Sequence, residues 1–233
     1  MIVNLISYSQ PHFMIQAVDG GMNAEDLVAY CARVSNPSNQ NNKQTSERLL
    51  KYLAKHKHWS PFEMVSACLE IETTRDIARQ ILRHRSFSFQ EFSQRYADPL
   101  KDLSFDFKEA RLQDQTNRQN SIETDNADIK FEWLKQQSEV AVASRNAYRW
   151  AIENGIAKEQ ARSVLPEGNT VSRLYVNGTL RSWIHFIELR TGPETQKEHR
   201  LVAIECAKVL KEVFPIISEF TTHVQQELST DSK

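Results

Sequence analysis

The run Val65-Ser66-Ala67-Cys68-Leu69-Glu70-Ile71-Glu72 alternates apolar and polar side chains. Side chains on a strand point alternately to its two faces, so this run reads as a strand with one dry and one wet face. A helical pattern follows at once, predicted over 75–84 with Thr74 in the capping position. Residues 2–7 form another strand by β-branched content, and 170–176 a third, with Asn177-Gly178 as the turn into a helix over 179–189 that Gly192 ends. Further helices are predicted from Asn23 to about 34, over 45–55, over 158–164 before Pro166, and over 195–213. A long helix is predicted over 129–153, with Phe131, Leu134, Val140, Ala141, Ser144 and Tyr148 as its inner face. The stretches 35–44 and 101–128 are polar, the first a loop and the second a long loop or short helix. Strands and helices mix without a βαβ repeat, which predicts an α+β fold: a single domain over residues 1–233 with a mainly antiparallel sheet packed against long helices.

Only six glycines are present, and none stands in GxGxxG or GxxxxGK[ST] order. Backbone cradles for phosphate are therefore not expected, and any nucleotide must be held by side chains. A net charge of -1 supplies no global field for a polyanion, so an anion site must be local. Cys31, Cys68 and Cys206 fit neither a disulfide framework nor a zinc ribbon and read as small buried apolar residues. The first eight residues carry no basic flank or small-residue cleavage site, and no apolar run nears the roughly 20 residues that span a bilayer. The expectation is a cytoplasmic protein without membrane contact.

Cations, hydroxyls and aromatics are densely interleaved in Gln80-Ile81-Leu82-Arg83-His84-Arg85-Ser86-Phe87-Ser88-Phe89-Gln90-Glu91-Phe92-Ser93-Gln94-Arg95-Tyr96. Gln80, Arg83 and His84 share one face of the predicted helix at i, i+3 and i+4. Basic residues in a last turn complement the helix dipole, which accounts for this half of the segment. The second half offers guanidinium forks, hydroxyls and flat rings, which suit a phosphate and a heteroaromatic ring. A module for single-stranded nucleic acid is the competing reading, and the near-zero charge argues against it. His56 and His58, with His84 and His185 elsewhere, invite a metal reading, but no carboxylate or thiol completes a ligand spacing and no metal is expected.

The order Arg83-His84-Arg85, two residues, Ser88, four residues, Ser93, one residue, Arg95 resembles the signature of the flavin-dependent thymidylate synthases, the ThyX type. Gln90 stands where many members carry Asn, which keeps an amide on a longer arm. Three further blocks are similar to that family in the same order: His58-Trp59-Ser60-Pro61-Phe62-Glu63; Arg162 with Leu165-Pro166; and Leu180-Arg181-Ser182-Trp183-Ile184-His185-Phe186-Ile187-Glu188-Leu189-Arg190.

The resemblance implies a ThyX-like fold and the reductive methylation of dUMP to dTMP, with FAD as cofactor and methylenetetrahydrofolate and NADPH as co-substrates. It implies FAD contacts from Ser60, Arg83, His84, Arg85, Glu91, Thr179, Arg181 and His185. It places dUMP against Gln80, Arg83, Glu91, Phe92, Ser93, Gln94, Arg95, Arg162 and Arg190, with Arg190 as the catalytic group that activates the uracil. From spacing alone, Arg190 is equally a dipole-complementing residue in a last turn. A homotetramer with active sites shared between subunits is also implied. No cysteine lies beside a base or cation able to lower its pKa, so the chemistry is expected to proceed without an enzyme thiolate. A flavoprotein that senses nucleotides without catalysis would share the same motifs.

Overall fold

The computed structural model describes residues 1–15 and 21–221. Four strands form one antiparallel sheet in the order β1-β2-β6-β3, with β1 at Ile2–Tyr8, β2 at Ser66–Thr74, β3 at Ser88–Glu91 and β6 at Val171–Thr179. The alternation of β2 sorts as its sequence demands. Ala67, Leu69 and Ile71 are buried, while Glu70 and Glu72 lie on the wet face. There the Tyr175 hydroxyl donates to Glu70 at 2.8 Å and Arg173 Nε donates to Glu72 at 2.6 Å, cross-strand pairs that hold the solvated side.

Helices α1 (Ala24–Ala32), α2 (Ser46–Lys55), α3 (Arg75–Ile81), α5 (Leu180–Arg190) and α6 (Lys197–Lys211) cover the dry face, whereas α4 (Ala127–Glu153) lies outside that core, its Tyr148 and Ala151 packed in a small separate cluster with Ala161. Asn23 closes a capping box with Asp26 at the start of α1, and Thr179 accepts from Ser182 N at the start of α5. Trp183, Ile184 and Ile187 of α5 and Val202, Ala203, Cys206 and Leu210 of α6 join Leu69, Ile71, Leu174 and Val176 of the sheet in the main core. Fully buried Trp183 keeps its indole nitrogen satisfied by donating to Ala67 O at 3.1 Å. The predicted α+β class with an antiparallel sheet and long helices is the observed one.

Four local readings differ. The helix predicted over 75–84 ends at Ile81, because the chain must turn through 82–87 to lay β3 along β6. Strand β3 carries no local signal of its own, since its pairing is tertiary. Asn177-Gly178 is not a turn: β6 runs straight through it, with Gly178 opposite Ala67. A Cβ on Gly178 would stand 2.2 Å from the Phe87 ring, so this glycine serves the close approach of a ring to a strand. Residues 101–128 hold a small hairpin, β4 (Arg111–Gln113) with β5 (Ser121–Glu123).

The inner face of α4 is also only half as predicted. Ala141, Ser144 and Tyr148 are buried, joined by Gln137 and Ala151, but Phe131 is 70% exposed and Leu134 and Val140 are each 51% exposed. The contacts that fix the helix near its start are polar. The Gln137 amide pairs with both backbone groups of Lys108, at 2.9 and 2.8 Å, and also accepts from Asn169 Nδ2 at 3.0 Å. A hydropathy pattern cannot report a stripe of that kind.

Candidate active site

The last turn of α5 packs beside the turn after α3. Arg190 Nε donates to His84 Nε2 at 2.9 Å, and this bond makes Nε2 of His84 the unprotonated nitrogen of a neutral ring. Burial, reinforced by the Arg190 charge, pushes the His84 pKa down to about 4, so the acceptor persists at neutral pH. Arg190 makes no other hydrogen bond to a described residue. Its terminal nitrogens are left as a planar fork, oriented through Nε. Beside the pair, Gln80 Nε2 donates to Gln196 Oε1 at 2.8 Å, and Gln80 Oε1 lies 3.1 Å from Nδ1 of His199, a fully buried residue of α6.

A second group forms where α3 begins. Glu91, at the end of β3, accepts from Arg79 at 3.2 Å, Arg75 at 3.5 Å and the Ser172 hydroxyl at 2.9 Å. Next to it, Arg75, Arg79, Gln94, Glu159, Arg162, Ser163, Leu165 and Glu167 line an open pocket of about 530 Å³. Arg162 Nε donates to the Glu159 carbonyl at 3.3 Å, and Arg95 stands 3.7 Å from the Glu159 carboxylate. Gln94 is 4% exposed, and its Nε2 has no hydrogen-bond partner. An amide donor left unmatched in a pocket that also holds Arg162 is a site wanting an acceptor.

The third group sits at the start of α5. Arg181 donates to Glu63 Oε1 at 2.5 Å, and the His185 ring meets Trp59 edge to face with centroids 4.8 Å apart. Ser60 is exposed at the head of the turn Ser60–Glu63, and Thr179 is the α5 cap already described. Arg83 and Arg85 are exposed and make no ion pair with a described residue. Phe92 and Ser93 act through backbone: Phe92 N donates to Arg173 O, and Ser93 O accepts from Tyr96 and Ala97.

Every predicted site residue therefore falls into one of these groups or the loop joining them, but a single chain does not gather all of them around one point. His199, Gln196, Arg75, Arg79 and Trp59 were not foreseen. His199 sits as a lone histidine in an apolar pattern, which carries no signal, whereas Arg75 and Arg79 at i and i+4 were legible as one basic face. All three cysteines are free, and burial raises the thiol pKa of each, most strongly at fully buried Cys206. No thiolate nucleophile is prepared.

Guanidinium forks, an unmatched amide and neutral imidazoles on an α+β frame are the donors and acceptors that suit a nucleotide's phosphate and ring, the features of a nucleotide-binding site. Residues 18–216 match the family described as thymidylate synthase complementing protein. The chain is 47% identical over 219 residues to a probable flavin-dependent thymidylate synthase of Paramecium bursaria Chlorella virus 1, covering 94% of this chain and 98% of the viral one. The flavin-dependent thymidylate synthase of Synechocystis sp. is equally similar, with the same coverage. Among solved structures, the UMP/dUMP methylase PolB from Streptomyces cacaoi bound with 5-Br dUMP superposes with a TM-score of 0.78 at 25% identity, covering 95% of this chain and 94% of that one. The chain belongs to the flavin-dependent thymidylate synthase family.

Proposed function

We propose that this chain methylates dUMP to dTMP with FAD as cofactor, methylenetetrahydrofolate as carbon donor and NADPH as reductant, and that Arg190 is the group that activates the pyrimidine. The Arg190–His84 pair carries this reading. Carbon 5 of uracil becomes a competent nucleophile only as negative charge develops on the ring, and a cation fixed beside it stabilises that charge. His84 accepts from Arg190 Nε, so the two terminal nitrogens remain for the substrate while the guanidinium plane is set.

The donor set suits the ligands. Gln94 Nε2 has no partner in a pocket that also holds Arg162, with Arg95 beside it at Glu159, which fits the phosphate of dUMP. Gln80 and the backbone and hydroxyl of the 91–95 loop, including Phe92 and Ser93, complete that assignment. Unpaired Arg83 and Arg85, with Arg181, would hold the diphosphate of FAD, and Ser60, His84, Glu91, Thr179 and His185 would frame it. When bound, reduced FAD supplies the hydride and the folate supplies the one-carbon unit.

The reading includes one domain over the whole chain, a homotetramer with shared sites and a cytoplasmic location. The first is supported by a main core built on the four-stranded sheet, and the second by the three separated groups of site residues and the exposed apolar side chains of α4. The third is supported by three free thiols. Among the described residues no helix is long and apolar enough to cross a membrane.

The test is dUMP-dependent oxidation of the reduced flavin, with dTMP formation, in Arg190→Ala and Arg190→Lys. Both variants are expected to lose turnover more than ground-state dUMP affinity, because the charge acts mainly in the transition state. Wild-type turnover in both, with FAD bound, would remove Arg190 from the activating role.

A further inference from the structure

The hydrogen bonds around Gln80 form a chain whose polarity is fixed from one end. Arg111 donates to Glu109 at 3.0 Å and to Glu198 Oε1 at 2.6 Å. The other carboxylate oxygen of Glu198 accepts from Gln196 Nε2 at 2.9 Å, and a carboxylate paired with a guanidinium can only accept. Gln196 must therefore turn its Oε1 toward Gln80, which donates to it through Nε2 at 2.8 Å. Gln80 Oε1 is then left facing His199 Nδ1 at 3.1 Å, and an oxygen there requires the proton on Nδ1.

The consequence is a single tautomer for His199, with Nδ1 donating and Nε2 bare. That Nε2 is buried without a partner, and burial, with the Arg190 and His84 charges behind it, brings the ring to a pKa of about 3. The ring is neutral wherever the enzyme works. A flipped Gln80 amide would set its NH2 against the His199 N–H and its oxygen against Gln196 Oε1, two like-against-like contacts in a half-buried place. In the observed orientation Gln80 keeps one amide hydrogen and one oxygen lone pair unused, a donor and an acceptor held in fixed order for a ligand.

We propose that His199 is a positioning residue for substrate recognition: its Nδ1–H locks the Gln80 amide in the one orientation in which Gln80 meets the nucleotide. This rests on the assignment of Gln80 to the dUMP site. A purely structural role would have the ring only fill space against Phe186, with centroids 5.7 Å apart.

Two substitutions separate these roles. His199→Leu keeps an apolar side chain of similar bulk and removes the donor, whereas His199→Asn offers an amide N–H near the position of Nδ1. Calorimetric dUMP affinity of the FAD-loaded protein is expected to fall about five- to tenfold in His199→Leu, the range for one lost hydrogen bond, and to return most of the way in His199→Asn. FAD content should hold in both. Gln80→Ala, measured alongside, should itself weaken dUMP binding and make a further His199→Leu change silent.

Unchanged affinity in Gln80→Ala would remove Gln80 from the dUMP site, a failure of the underlying assignment. A weakened Gln80→Ala with wild-type affinity in His199→Leu, or with His199→Asn binding as poorly as His199→Leu, would overturn the lock itself. Nitrogen-15 spectra of histidine-labelled wild-type protein give an answer that does not depend on variants folding. A protonated Nδ1 with bare Nε2 at residue 199 supports the lock, and the opposite tautomer overturns it.

Discussion

Arg190, His84 and His199 show how one charge conditions its neighbours. Burial first, and Arg190 after it, hold His84 near pKa 4 and His199 near 3. In the unfolded chain each ring takes up its proton at about 6.5. Across the interval below about 6.5 the unfolded state binds more protons than the folded one, so stability rises with pH up to about 6.5 and is flat in these groups above it. Urea midpoints measured from pH 4 to 7 should rise with pH, and the rise should be smaller in His199→Leu. Equal slopes in the two proteins would show that His199 protonates as readily folded as unfolded. A second expectation concerns the pocket at Gln94. Arg162→Ala and Arg95→Ala should each weaken dUMP binding by about 1.5 to 3 kcal/mol, the range for a hydrogen bond to a charged group. Calorimetry on FAD-loaded variants checks this, and unchanged affinity in both would move the phosphate elsewhere.

Strand β6 depends on a missing side chain. Phe87 lies over Gly178 and is held from its other sides by Trp183 at 4.5 Å and by Phe186 and Phe89 at 5.9 and 6.1 Å between centroids. A Cβ at 178 has no room unless that aromatic cluster shifts. Gly178→Ala should therefore destabilise the protein by about 1 to 3 kcal/mol, the usual range for overpacking. The effect should shrink when Phe87 is first shortened to Leu, because the two positions share one space. Additive losses in the double variant, read from urea unfolding, would show that the glycine matters for its backbone and not for the ring. The same cluster ties the β3 segment to α5, so the cost should extend to the turn that carries His84.

At the scale of the whole molecule, α4 stands out. Phe131, Trp133, Leu134, Val140, Val142 and Trp150 are each between 45% and 70% exposed, an apolar load on several faces that a solvated helix does not carry. Covering it by other copies of the chain is the arrangement expected of a homotetramer. Light scattering after gel filtration should give four times 27.0 kDa for the wild-type chain. A Phe131→Glu, Trp150→Glu double variant should yield smaller species and lose turnover with FAD still available. A tetramer unaffected by both charges would free α4 from any role in assembly.

Sequence by itself determined what depends on local order. The alternation of 65–72 set a strand with one wet face, Asn23 set a helix start, and the spacing from Arg83 to Arg95 carried the family and the residues proposed for the site. Six glycines without a phosphate-binding order left side chains as the expected anion ligands. Tertiary structure decided what depends on partners distant in the chain. Strand β3 exists because β6 supplies its hydrogen bonds, and Gly178 reads as a turn until Phe87 is seen to need the space. His199 acquires its tautomer from the Glu198 carboxylate three hydrogen bonds away, along a path that passes through Gln196 and distant Gln80. A one-dimensional pattern records which faces are apolar, but not which polar atom a fold leaves for another to satisfy.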